Sequence, residues 1–325
     1  MHIVLIHSKY DNVDETSVDL NPQGPQQMSD TVLNIHAALE AGGHSVTPVL
    51  ADKDFLATLE KIPAPDLLFN LSSGVSDKRT QANVVGMLEM TGIPMLGSGL
   101  ATHIVGLHKE ITKSILSAHR IRTARFQLIA AETDEIRSDF TFPLIVKPEH
   151  EGSGIGVTES SKVDSVAQLK KVIKEKLHLH KQVLLVEEFL PGREFTVGVM
   201  GNEVLEILPI KETIFHKDGP QILTNTEKAG SKSTEIIPAN LSPELQAEIE
   251  EMAAKTYRIL RCQDFARVDI RLDAEGHPHV IELNTYPGLG KDFSYFPRLA
   301  QAAGYTYDAL INRLVAIAKE PKGFN

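Results

Sequence analysis

The chain has 325 residues, 42% of them hydrophobic and 23% charged, with a formal net charge of −10. These totals describe a globular protein large enough for two or three domains, and they exclude a dense basic surface for nucleic acid. A single cysteine, Cys262, excludes an intramolecular disulfide and a thiolate metal cluster, while the opening "MHIVLIHSKYD" and the lack of any apolar run near the ~18 residues of a membrane span predict a soluble cytoplasmic protein with no membrane partner.

In chain order, "HIVLI" reads as a buried strand. "SDTVLNIHAALEAGGH" follows as a helix, with Val32, Ile35 and Leu39 on one side and Gly42-Gly43 as its stop. "SVTPVL" and "DLLFNL" are further strands, "NVVGMLEMTG" is a helix ending at Gly92, and "IPMLGSG" is a strand. This alternation predicts a parallel α/β unit over roughly the first 100 residues, with ligand-lining loops after the strand C-termini. "ATHIVGLHKEITKSILSAHR" reads as one helix. Beyond it the texture becomes α+β. "ARFQLIA", "PLIVKP", "GVTES", "VLLVEEFL", "EFTVGVM" and "VLEILPI" are strand-like, and "VAQLKKVIKEKL" is a helix among them. Residues 216–234 are polar and irregular, a length uncommon unless functional. "LSPELQAEIEEMAAKTYRILRC" is the clearest helix: Ser242 is the N-cap, Pro243 takes the first helical position, and Leu245, Ile249, Met252 and Leu260 form one stripe. "FARVDIRL" and "HPHVIELN" close the pattern as a hairpin turning at "DAEGH".

That hairpin carries the most chemistry. Side chains alternate along a strand, so Arg267, Asp269 and Arg271 share one face and Val268, Ile270 and Leu272 the other. On the returning strand Glu282 and Asn284 share a face, with Ile281 and Leu283 opposite. Joining the apolar faces in a core sets Asp269 nearly opposite Glu282. Two such carboxylates repel unless a cation lies between them. Asp, Glu and Asn offer only hard oxygens, which favour Mg²⁺ or Mn²⁺ over zinc. The plainer alternative is a ribbon with one wet face, whose acids Arg267 and Arg271 neutralise. "NTYPGLG" weighs against it, since a Pro- and Gly-rich turn after an acidic strand end exposes backbone N–H groups beside the charges.

"FPLIVKPEHEGSGIGVTES" places Lys147 at a strand end before Gly152, Gly154 and Gly156. The spacing is neither the dinucleotide fingerprint nor the G-x-x-x-x-G-K-[ST] loop. Flanking strands suit a flexible hairpin over phosphates, with Lys147 reaching an oxygen; an ordinary glycine turn is the alternative. In "VLLVEEFLPGREF", Glu187, Glu188 or Glu194 can bond an amino group or ribose hydroxyls, or simply be solvated acids.

Taken in order, "GIPMLGSG", "LHKEITKSIL", "FPLIVKPEHEGSGIGV", "VLLVEEFLPGREFTVGV", "ARVDIRLD" and "VIELNTYPG" resemble the ATP-grasp superfamily, and within it the D-alanine–D-alanine ligases, from about Asp66 to Leu314. The resemblance implies an ATP-grasp fold preceded by a Rossmann-like parallel α/β domain. Its divisions are 1–105 (substrate domain), 106–187 (central ATP-grasp subdomain) and 188–325 (C-terminal ATP-grasp subdomain). It implies ATP and Mg²⁺ (or Mn²⁺) as cofactors, amino acids as partners, and the homodimer common in the family. Lys109 and Lys147 correspond to phosphate-binding lysines, and Gly152, Ser153 and Gly154 to the loop over the phosphates. Glu187 corresponds to the residue at the adenine, with Glu188 beside it, Leu190 to the adjoining backbone contact and Glu194 to the ribose acid. Lys228 matches a family lysine. Asp269, Glu282 and Asn284 match the metal ligands, Arg267 and the Gly288 backbone the oxyanion stabilisers, and Ser294 the second substrate's carboxylate contact. Three departures touch the amino-acid pocket. "HSKYDNVDETSVDL" replaces a glycine-serine loop bearing a glutamate, for which Glu15 or Asp14 would substitute; Ser72-Ser73-Gly74 stands where the family has His-Gly; and Ala229 replaces a tyrosine. The implied activity is a carboxylate–amine ligase working through an acyl phosphate. Its alternatives are the same chemistry on other amino acids or a small peptide, and ATP binding without turnover.

Overall fold

The computed structural model describes residues 1–8, 24–72, 74, 81–150, 156–216, 221–222 and 233–322. The described residues form three sheets. The first is parallel, with β1 (His2–His7) between β2 (Ser45–Leu50) and β3 (Leu67–Asn70). Helices α1 (Gly24–Ala41), α2 (Phe55–Leu59) and α3 (Gln81–Glu89) accompany it. The unbroken apolar run of β1 is what a strand covered on both faces requires. Ile3 and Leu5 pack with Val32, Ile35 and Leu39 of α1, whereas Val4 and Ile6 join Val49, Val84 and Leu88 in a second core. The strand expected at "IPMLGSG" is only one parallel bridge, Met95 to Leu68. Gly97, at φ +101, takes the chain out of the extended region directly afterwards.

The single helix expected at 101–120 is two, α4 (Leu100–Leu107) and α5 (Lys109–Ala118). His108 between them is extended, at φ −98° and ψ 102°. The Thr112 hydroxyl donates across the break to the Val105 carbonyl at 2.6 Å.

The second sheet is antiparallel, in the order β4 (Phe126–Ile129), β7 (Leu184–Glu188), β5 (Leu144–Pro148), β6 (Lys162–Val163). Helix α6 (Val166–His180), capped by the Ser165 hydroxyl, lays Leu169, Val172 and Ile173 on Leu144, Val146 and Val186. "GVTES" is not the return strand. Gly156 turns at φ +73 and Thr158 caps a short 3₁₀ turn over Glu159–Ser161, so β6 begins only at Lys162.

The third sheet runs β11 (Ser233–Ile236), β10 (Lys211–Phe215), β8 (Glu194–Met200), β12 (Phe265–Leu272), β13 (Pro278–Asn284), with β9 (Glu206–Ile207) also on β8. "VLEILPI" supplies only β9, because Pro209 has no N–H for the ladder. Helices α7 (Pro243–Ile259), α8 (Tyr295–Ala302) and α9 (Tyr307–Ala318) complete the chain. The Ser242 hydroxyl accepts from Leu245 N at 3.3 Å, as expected of the N-cap. Ile249 and Met252 of α7 pack on Val268, Ile270 and Leu272. The apolar partners from β13 are Val280 and Leu283, and Ile281 is a correction: it is only half-buried and outside that core. A β-bulge explains it, since the register slips by one residue between Asp269 and Ile270, leaving Ile281 and Glu282 side by side on one stretch of strand. Among the described residues no helix is long and apolar enough to cross a membrane.

Candidate active site

The polar face of the third sheet is one wall of the site. Its cross-strand rows follow from register. Asp269 on β12 pairs with Glu282 on β13 and with Thr196 on β8, which pairs with Lys211 on β10. One row along, Arg267 pairs with Asn284 and Gly198; on the other side, Arg271 pairs with His279 and Glu194. Asp269 Oδ1 accepts the Thr196 hydroxyl at 2.9 Å, and Oδ2 accepts Arg267 Nη2 at 3.0 Å and Nε at 3.2 Å. Burial disfavours the Arg267 charge, but Asp269 and Glu282 together outweigh it and raise its pKa. Asn284 Oδ1 accepts the Tyr286 amide at 3.0 Å, which starts the "NTYPG" turn and leaves that oxygen a second lone pair. Asp269, Glu282 and Asn284 thus stand together on one face as an all-oxygen donor set, which fits Mg²⁺ or Mn²⁺. The plainer reading is met in part, because Arg267 does pair with Asp269. Arg271, however, is committed to Glu194 at 3.0 Å and sits against the rings of Phe189 and Phe215.

The second wall is made of lysines. Glu187, buried at the end of β7, accepts Lys147 of β5 at 2.5 Å and Lys113 of α5 at 2.8 Å. Burial would raise the Glu187 pKa, but Lys113 and then Lys147 outweigh it and bring it down to about 2. Lys109, one helical turn before Lys113, is also buried and donates to the Glu149 carbonyl at 3.2 Å. Burial lowers its pKa; Glu282, across on β13, opposes that shift, and Lys147 adds to it. Lys109, Lys113 and Lys147 thus gather three buried ammonium groups at one wall, a concentration of positive charge suited to an anion.

Residues 189–193 connect the walls, with Gly192 N donating to Leu272 O at 3.0 Å. A Cβ at Gly192 would lie 2.7 Å from that same oxygen, so only glycine fits the close approach. Leu190 and Glu194 are buried at either end of the connector. Glu188 is not brought to the lysines. Alternation turns it to the other face of β7, where Arg125 Nε at 2.9 Å and Thr141 N at 2.8 Å hold it. Gly288 is exposed after β13, and a Cβ there would lie 2.7 Å from Ser294 Oγ, which places the two together. The Ser294 hydroxyl itself accepts Gly290 N at 3.0 Å and closes the turn into α8. Glu15, Asp14, Gly152, Ser153, Gly154 and Lys228 lie outside the described residues.

Two residues of this geometry escaped the motif reading. Lys113 is announced only by its spacing of four from Lys109. Lys211, fully buried, donates to Thr213 Oγ1 at 2.6 Å and lies 4.2 Å from the Tyr295 ring centroid, on the same face as Asp269 and Arg267. Its signal is a lysine inside the strand-like "LPIKETIF". The C-termini of β1 and β3 meet, with the Ser8 and Ser72 hydroxyls 3.2 Å apart and both donating to the Gly74 carbonyl.

The D-ala D-ala ligase C-terminus family matches residues 114–316. The chain is 33% identical to an uncharacterized protein, y4sG, of Sinorhizobium fredii, over 91% of this chain and 90% of that one. It is 35% identical to the D-alanine–D-alanine ligase of Cupriavidus pinatubonensis, over 72% of this chain and 70% of the other. Among solved structures it is similar to the D-alanine–D-alanine ligase of Bacillus anthracis complexed with ATP. The TM-score is 0.77 and the identity 22%, with 98% of this chain and 97% of that one covered.

Proposed function

The chain belongs to the D-alanine–D-alanine ligase family and is an ATP-dependent, C–N-bond-forming ligase of the ATP-grasp fold using ATP and Mg²⁺; from that premise we propose that it joins two amino acids of the D-alanyl-D-alanine kind through an acyl phosphate. The observation that carries the ATP end of this reading is the lysine wall. An acidic protein concentrates Lys109, Lys113 and Lys147 around Glu187, opposite the sheet face that carries Asp269, Glu282 and Asn284, an arrangement suited to a metal-bound polyphosphate. Asp269, Glu282 and Asn284 would hold the Mg²⁺, which when bound offsets phosphate charge. The carboxylate of the first amino acid attacks the γ-phosphorus and ADP leaves. The amine of the second then attacks the acyl carbon and inorganic phosphate leaves. Arg267 and the Gly288 N–H would bind the oxyanion formed in that attack, with Ser294 toward the second carboxylate. Ser153 with its glycines would cover the phosphates, and Glu187, Leu190 and Glu194 would bind adenine and ribose. Residues 216–234, including Lys228, would close over the site and keep water from the acyl phosphate. We divide the chain at 1–105, 106–187 and 188–325, place it in the cytoplasm, and assign it a homodimer by family.

A second reading, the same chemistry on other amino acids, is favoured by one observation. After β3, where the family has His-Gly, this chain has Ser72, whose hydroxyl meets that of Ser8. One experiment separates the two: the protein is given ATP, Mg²⁺ and single or paired D- and L-amino acids, with phosphate release followed and products weighed. Phosphate and a D-alanyl-D-alanine mass with D-alanine are the expected result. Release with other amino acids alone moves the reading to the second, and no release with any of them overturns both. Glu282→Gln should lower turnover by at least 10²-fold while circular dichroism stays unchanged. Near-normal turnover in that variant would remove the metal assignment.

A further inference from the structure

We propose that His108, Glu149 and His150 form a second metal site, separate from the all-oxygen trio, for a borderline transition-metal cation of the Zn²⁺ class. His108 is the extended residue between α4 and α5, and Glu149 and His150 directly follow β5. Glu149 is buried, and its Oε2 lies 2.9 Å from His108 Nδ1 and 3.4 Å from His150 Nδ1. The ligand atoms of the three all lie within 4.8 Å of one another. In a tetrahedral zinc site with bonds of about 2.0–2.1 Å, neighbouring ligand atoms stand roughly 3.3–3.4 Å apart, so the observed spacings need little adjustment.

The site is built, not accidental, on the carboxylate side. Glu149 Oε1 accepts the Glu110 amide at 3.3 Å at the start of α5, and Lys109 Nζ holds the Glu149 carbonyl at 3.2 Å. Those two contacts fix backbone and carboxylate from outside the trio, as supporting contacts do for metal ligands. The imidazoles are partly exposed, at 42% and 24% of their side-chain surface, which leaves a path for an ion. Two imidazoles with one carboxylate select zinc-like cations over Mg²⁺, so the two sites divide by ligand softness. Three protein ligands leave a fourth position for water. A bound ion would tie the break between α4 and α5 to the strand that carries Lys147. The competing reading is a hydrogen-bonded cluster without an ion, His108 Nδ1 to Glu149 Oε2.

The test uses the full chain without an affinity tag or nucleotide, in millimolar Mg²⁺ so that the oxygen site is occupied, and titrates Zn²⁺ against a chromophoric chelator. The inference rests on no part of the ligase reading, and this readout needs no turnover. One equivalent of Zn²⁺ is expected, bound at least tenfold more weakly by His108→Ala and by His150→Ala and unchanged in Glu282→Gln. Zn²⁺ should also raise the unfolding midpoint of the unaltered chain by more than that of either histidine variant. Both imidazoles are partly exposed, so either variant alone suffices if the other fails to fold. No bound Zn²⁺, binding equal in both histidine variants and the unaltered chain, or binding lost only with Glu282→Gln would each overturn the site.

Discussion

Glu187 keeps its charge in the interior only because two lysines hold it, and its neighbours keep theirs because of it. Replacing it by glutamine leaves Lys113 and Lys147 buried without an acid between them. Removing one member of a buried pair costs about 3–5 kcal/mol, so Glu187→Gln should lower stability by that order in urea unfolding. Lys113→Met should cost clearly less, because Lys147 still neutralises the acid; equal losses would mean that the carboxylate does not bridge the two. His103 sets a different dependence. It is buried beside Thr285, its Nδ1 3.3 Å from the Thr285 hydroxyl, and burial holds its pKa down to about 4. A folded-state pKa below the unfolded one means the unfolded chain takes up the proton first. Stability is therefore complete above pH ~6.5 and falls as pH drops toward 4, by on the order of 3 kcal/mol. The contribution of Glu187 is lost over a lower window, from the ordinary carboxylate value of 4.5 down to its own pKa of about 2. Unfolding followed from pH 6.5 to 4.5 should show this slope, flattened in His103→Gln; His44, half-exposed and shifted the same way by burial, adds less. At this scale the sequence announced Lys109, Lys147, Glu187 and the carboxylates through motifs. It concealed Lys113 and Lys211, because a buried lysine on a helix or strand reads as a solvated one until a partner is seen.

The hairpin β12–β13 separates stability from chemistry by face. Alternation in "ARVDIRLD" was legible, and Asp269 does stand opposite Glu282. The bulge was not, since one extra residue on a strand leaves no mark in composition. It shows in burial, where Ile281 and Glu282 are both half-exposed between buried Val280 and Leu283. On the apolar side, Ile270→Ala should cost about 2–5 kcal/mol with kcat close to normal, because Ile270 touches only core. On the polar side, Arg267→Lys should lower kcat by about 10²-fold or more while moving the unfolding midpoint far less, since a lysine keeps the charge but not the two-pronged grip on Asp269. Matched losses of activity and stability in both variants would show that the faces are not independent. The break at His108 was likewise invisible to periodicity, because α4 and α5 each continue the same apolar pattern and only a backbone dihedral divides them.

On the scale of the molecule, the largest core ignores the order of the chain. Ile3, Leu5 and Ile35 from the beginning pack with Phe265, Phe296, Leu310 and Leu314 from the end. Asn312 of α9 donates to the Ala38 carbonyl of α1 at 2.8 Å. Fully buried Asp264 ties the same ends together, accepting Gly97 N at 2.7 Å, Asn202 Nδ2 at 3.0 Å and Lys322 Nζ at 2.9 Å. It does so at φ +64, a conformation aspartate tolerates better than most residues. The alternation of elements gave the parallel unit and the hairpin sheet, but no local pattern says that the last helix closes over the first. That contact is long-range, and its residues look like any amphipathic stripe. It follows that the parallel sheet and the third sheet should lose stability together when α9 is weakened. Leu314→Ala opens that shared core at an expected cost of about 2–5 kcal/mol. Hydrogen exchange should then show protection falling in parallel at His2–His7 and at Phe265–Leu272, because both strands rest on the same buried side chains. Protection lost at the first strand and kept at the second would mean that the two ends are separate cooperative units, with α9 belonging to the N-terminal one alone.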